Sequence, residues 1–151
     1  MNARPFEDLR IGESACFSKT ISESDVYLFA GITGDFNEVH VDRVAAEQSV
    51  FKGRVAHGML TASLISTVLG SRLPGPGAIY LSQSMRFVKP VYIGDTVTAR
   101  VEVAELIAQK RRVRFATRCT NDRGDLVAEG ESLIQIPDPS ASGHDAARMT
   151  P

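Results

Sequence analysis

Cysteine is scarce in this 151-residue sequence. Cys16 and Cys119 are the only two, with no CxxC pair and no metal-ligand spacing. That argues against a disulfide framework or a zinc knuckle and leaves two buried free thiols as the expectation. Net charge is nearly absent as well: 17 basic and 18 acidic residues leave a formal charge of -1. Nothing in that balance suggests a surface for nucleic acid or an anionic membrane, and no partner of either kind is expected. Long apolar runs are missing too. No stretch approaches the length needed to span a bilayer, and MNARPFEDLRIGES lacks a continuous apolar core, so a cytoplasmic protein is expected. Neither a GxSxG elbow nor a Walker-type phosphate loop occurs, and nucleophilic serine hydrolysis and nucleotide hydrolysis lose support accordingly.

What remains is enough for one domain. With 43% hydrophobic residues, a chain of this length buries about 68–70% of its unfolded surface. Ser22 opens SESD, a capping-box pattern, and the helix that follows brings Val26, Phe29 and Ala30 to one face before the glycines at 31 and 34 stop it. A short helix is predicted after Asp42, in DRVAAEQS. HGMLTASLISTVLGSRL, residues 57 to 73, carries Met59, Leu60, Leu64, Ile65, Val68 and Leu69 around its axis, with Thr and Ser as the only polar residues between His57 and Arg72. A helix apolar on nearly all sides is normally buried.

After LPGPG the period changes to two. Val97, Ala99, Val101 and Val103 alternate with polar residues, as do Val113, Phe115 and Thr117 with arginines. NDRGD supplies the turn before LVAEGESLIQI; SACFSKT and IYLSQSMRFVKP complete about five strands. Short connections make them antiparallel. The economical packing is an α+β fold in which a curved antiparallel sheet wraps around the long apolar helix. From residue 138 onward the Pro-, Ser-, Ala- and Gly-rich chain offers no apolar face, so a single domain over 1–137 and a flexible tail over 138–151 are expected.

Two features carry chemistry. Asp35 and His40 lie five positions apart in the loop GITGDFNEVH, close enough to turn both side chains toward one water, as general acid–base catalysis requires. Alone the signal is weak, and helix capping with satisfied loop hydrogen bonds is the commoner explanation. The second feature is the start of the apolar helix at His57-Gly58. Its first-turn amides are unpaired donors, and Gly58, with no side chain, lets a carbonyl approach its N–H in the manner of an oxyanion site. A zinc site from Asp35, His40 and His57 has a workable ligand count but nothing further to support it. His57 reads as a structural residue at the helix entrance, and His144 as part of the exposed tail. Arg111, Arg112, Arg114 and Arg118 read as a solvated sheet face rather than a phosphate-binding strip.

The run YLFAGITGDFNEVHVDRVAA, followed by GRVAHGMLTASLIS and PGPGAIYLSQSMRFVKPVYIGDTV, resembles the MaoC-like (R)-specific enoyl-CoA hydratases from about Pro5 to Pro137. The resemblance implies a hot-dog fold and a homodimer with sheets joined edge to edge. It also implies an acyl-CoA thioester substrate, with no metal or redox cofactor. It places the acid–base pair on Asp35 and His40, in either assignment, and the oxyanion amide on Gly58. Asn37 takes the place of the motif's asparagine, and Ser66 that of a polar residue on the helix facing the site. Glu38 departs from the family's usual proline. The implied reaction is reversible syn addition of water to a trans-2-enoyl-CoA, giving an (R)-3-hydroxyacyl-CoA. Its rivals are dehydration of an acyl chain on acyl carrier protein, thioester hydrolysis, and acyl-CoA binding without catalysis.

Overall fold

All five expected strands form in the computed structural model, which describes residues 4–138. They are β1 (Ser14–Thr20), β2 (Ile79–Phe87), β3 (Thr96–Ile107), β4 (Arg112–Thr120) and β5 (Leu126–Gln135), in one antiparallel sheet of order β1-β3-β4-β5-β2. The apolar members of the alternation all point inward: Val97, Ala99, Val101, Val103, Val113 and Phe115 are buried. Against that face lies the long apolar helix, numbered α4 here (Gly58–Ser71), whose Leu60, Leu64, Ile65, Val68 and Leu69 complete the core. Sheet and helix make the hot-dog arrangement. The expected tail lies outside the described residues, apart from Asp138.

Three shorter helices precede α4. α1 (Glu23–Thr33) starts on the Ser22–Asp25 capping box and ends where Gly34 takes a left-handed conformation, φ 78°, that a side chain would disfavour. α2 (Glu38–Val41) is a single turn within what the sequence suggested was loop, and α3 (Arg43–Gln48) is capped by the Asp42 carboxylate.

Two expectations are corrected. Cys119 is buried, and burial raises its thiol pKa to about 12, but Cys16 is exposed. In β1 the core-facing residues are Ala15 and Phe17, so the same alternation that makes the strand turns Cys16 outward with Ser18 and Thr20. α4, too, is not covered all round: Met59 is 60% exposed, and Ser63, Ser66 and Thr67 share the uncovered side. The arginine strand behaves as a sheet face. Arg114 pairs with Glu105, Arg112 donates to Gln135, and Arg111 pairs with Glu7.

One ion pair ties the turn before β3 to the β4–β5 hairpin. Arg123 donates to both carboxylate oxygens of Asp95 (2.7 and 3.1 Å), and Asp95 also accepts from the Tyr92 N–H (2.9 Å). The guanidinium holds the Asp95 carboxyl below its usual range, partial burial opposes this, and the Tyr92 amide adds to it. A carboxyl lowered in the folded state stabilises the fold above its unfolded value and loses that contribution as pH falls through the folded one. Asp95→Asn is therefore expected to lower the melting temperature near neutral pH. It should also reduce the further loss on going to about pH 2, below the ordinary carboxylate range, because part of the acid sensitivity has been removed. Thermal melts at both pH values check this, and an unchanged acid-side loss would refute it.

Candidate active site

The loop after α1 and the start of α4 meet because His57 joins them. His57 caps α4 without a side-chain bond to its own helix, is 2% exposed, and directs Nε2 at the backbone carbonyl of Asp35, 2.9 Å away. A carbonyl only accepts, so that nitrogen carries the proton; Nδ1 is buried without a hydrogen-bond partner. The histidine read from sequence as structural thus anchors the segment that carries the acid.

Asp35 is exposed, and its carboxylate accepts from the Asn37 N–H at 3.3 Å. Asn37 caps α2 by accepting from the Val39 N–H at 3.4 Å, which accounts for an asparagine at this position. Glu38 follows at the first helical position. Proline is favoured there because its missing N–H is not needed by the helix, and an acidic residue suits the positive end of the turn. The departure from the family's proline therefore leaves the one-turn helix in place.

His40 sits in that turn, half-buried, with Nδ1 2.8 Å from the carbonyl of Val55. Val55 in turn donates its N–H to the Val39 carbonyl (3.1 Å), so α2 and the chain before α4 clasp each other. The Val55 carbonyl fixes the proton on Nδ1, which makes Nε2 the acceptor nitrogen of the neutral ring.

Asp35, His40, His57 and Gly58 line one cavity of about 330 Å³, together with Phe29, Thr33, Met59 and Phe87. A second cavity of about 450 Å³ shares His40, Gly58 and Phe87 with the first and adds Asn37, Thr61 and an apolar wall that includes Val39, Phe51, Val55, Val91 and Val127. Gly58 begins α4, whose first intrahelical bond is Thr61 N–H to the His57 carbonyl (3.2 Å), so the amides before Thr61 lie ahead of the helical ladder. Ser66 lies two turns further on, exposed, and lines neither cavity; Thr61 is the hydroxyl-bearing residue of α4 that lines the second one.

One carboxylate oxygen of Asp35 and one ring nitrogen from each of His40 and His57 all lie within 4.8 Å of one another. A water making two hydrogen bonds of about 2.8 Å at a near-tetrahedral angle spans about 4.5 Å, so Asp35 and His40 are near enough for one water to reach both. A metal fits less well. The rings of His40 and His57 are 3.8 Å apart between centroids and tilted by only 30°. Stacked rings aim their in-plane lone pairs side by side, whereas tetrahedral coordination needs them to converge.

Comparison with known proteins places the chain in a family. The family model described as MaoC like domain matches residues 9–123. The (R)-specific enoyl-CoA hydratase of Rhodospirillum rubrum is 56% identical over 132 residues, covering 87% of this chain and 91% of that protein. A 3-hydroxybutyryl-CoA dehydratase of Methylorubrum extorquens is 50% identical over 145 residues, covering 95% and 91%. Among solved structures, the unliganded R-hydratase PhaJ1 of Pseudomonas aeruginosa superposes with a TM-score of 0.85 at 43% identity, covering 90% of this chain and 87% of that one. With a family match over most of its length and relatives this similar across nearly their whole extent, the chain belongs to the MaoC-like domain family.

Proposed function

We propose that this protein is an (R)-specific enoyl-CoA hydratase that adds water reversibly to a trans-2-enoyl-CoA. The observation that carries the reading is a single cavity lined by Asp35, His40 and the N-terminal residue of α4. A thioester carbonyl accepting from the Gly58 N–H draws electron density from the β-carbon, and the amide stabilises the enolate that follows. Asp35 and His40 hold one water on the same side of the double bond. The Asp35 carboxylate takes a proton as the water oxygen bonds to the β-carbon, and the Nε2–H of His40 delivers a proton to the α-carbon. Dehydration reverses each transfer. Both groups thus act in one turnover, His40 giving up a proton as Asp35 takes one.

The reaction needs neither a metal nor a redox cofactor, and none is assigned. Pairing of two copies through the edge strand β2 is also part of the proposal. Ile79, Tyr80 and Leu81 are substantially exposed on that edge, and an uncovered apolar edge strand invites a partner. A single-chain mass by sedimentation equilibrium would refute the pairing.

Incubation of the purified protein with crotonyl-CoA, after dialysis against a chelator, tests the activity. The expected result is loss of the conjugated double bond without release of free thiol. Thiol release would mark a thioesterase, and no reaction with any enoyl-CoA would overturn the proposal.

A further inference from the structure

We infer that Phe87 sets which acyl chains the site accepts, by closing the passage between its two compartments. The inference rests on the hydratase reading. The smaller compartment holds Asp35, His40 and Gly58; the larger one beside it is walled mostly by aliphatic and aromatic side chains, as a site for a hydrocarbon tail would be. His40, Gly58 and Phe87 are the three residues that line both, so they form the partition.

Two of the three are held in place. His40 is fixed by the Val55 carbonyl, and Gly58 by the start of α4. Phe87 is different. Its backbone is anchored at the end of β2, opposite Ala128, and the next amide, Val88 N–H, donates to the Val127 carbonyl at 2.8 Å. Its side chain is 50% exposed, so the ring is packed on one side only. The ring lies directly over Gly58: a Cβ built there would stand 2.9 to 3.1 Å from three ring carbons. Phe87 is thus the part of the partition that a side-chain rotation can move.

A substrate with its carbonyl on the Gly58 amide and its β-carbon between Asp35 and His40 fits a short acyl group into the smaller compartment. A longer chain must continue into the larger one, and the Phe87 ring stands in that path. The chain as it is therefore favours short enoyl groups, and a smaller residue at 87 admits longer ones.

The test measures kcat/KM for trans-2-butenoyl-CoA and trans-2-octenoyl-CoA with the native protein, Phe87→Ala and Phe87→Leu. Moving even one methylene into or out of an apolar pocket changes selectivity by roughly 10-fold or more. The octenoyl-to-butenoyl ratio is accordingly expected to rise at least about ten-fold in Phe87→Ala and by less in Phe87→Leu, which keeps apolar bulk without the flat ring. If Phe87→Ala does not fold, a rise in Phe87→Leu alone supports the role. Native turnover with a ratio unmoved in every folded variant overturns the role of Phe87 and leaves the hydratase reading standing. Absence of turnover of either thioester by the native protein overturns both.

Discussion

Replacing Asp35 by Asn, or His40 by Ala, is expected to lower the hydration rate by roughly 10²- to 10⁴-fold, the range lost when a positioned acid or base is removed, while the protein stays folded. The reasons for the two halves differ. Asp35 is exposed and its side chain bonds only to the Asn37 amide, which an Asn oxygen can still accept. The loop itself is held by the backbone carbonyl of Asp35 on His57, which the substitution leaves untouched. His40→Ala removes a half-buried ring and its bond to Val55, yet the backbone clasp between Val55 and Val39 remains. Initial rates on crotonyl-CoA, beside thermal melts of each variant, make the check. Near-native turnover in both variants would remove the pair from the mechanism. Because the two groups act as a unit in the proposed step, the double variant should lose little more than the worse single one.

Much of this fold was legible in the sequence because its signals are local. The Ser22–Asp25 box, the period-two runs and the NDRGD turn each act within a few residues, and each element formed where those patterns put it. Capping by Asp42 belongs to the same class. α2 escaped because four residues are too few to display a period; only its cap, Asn37, could have betrayed it, through the short side chain one residue before the turn. Cys16 was misread for a different reason. Cysteine is usually buried, and that habit was set against an alternation that already placed the residue among Ser18 and Thr20 on the outer face.

The site was legible in its parts and illegible in its contacts. Asp35, His40 and Gly58 stand in recognisable motifs, and the structure brings all three to one cavity. His57 on the Asp35 carbonyl and Phe87 over Gly58 are contacts across 22 and 29 positions, created by the fold, and no local pattern announces them. They nevertheless decide the geometry. His57 sets how far the acid stands from the helix amide, and the Phe87 ring supplies a second reason for glycine at 58, beyond access to its N–H.

Those two reasons separate in a pair of variants. Gly58→Ala retains the N–H and places a Cβ against the Phe87 ring, whose half-exposed side chain can swing away. Gly58→Pro removes the N–H. The backbone accepts proline at this point: position 58 is the first residue of α4, where a helix needs no donor, and His57 already has φ -57° and ψ 135°, the extended conformation required of a residue before proline. Both variants are therefore expected to fold, and both crowd the ring, so the difference between them reports the amide together with the space in front of it. Loss of one oxyanion donor costs about 10²- to 10³-fold in kcat. Gly58→Pro should fall by that factor below Gly58→Ala, with the fall in kcat rather than confined to KM, because the donor acts on charge that develops only as the enolate forms. Equal kcat in the two variants, with native-like circular dichroism in both, would show that the enolate is stabilised elsewhere and that glycine stands at 58 only to make room for Phe87.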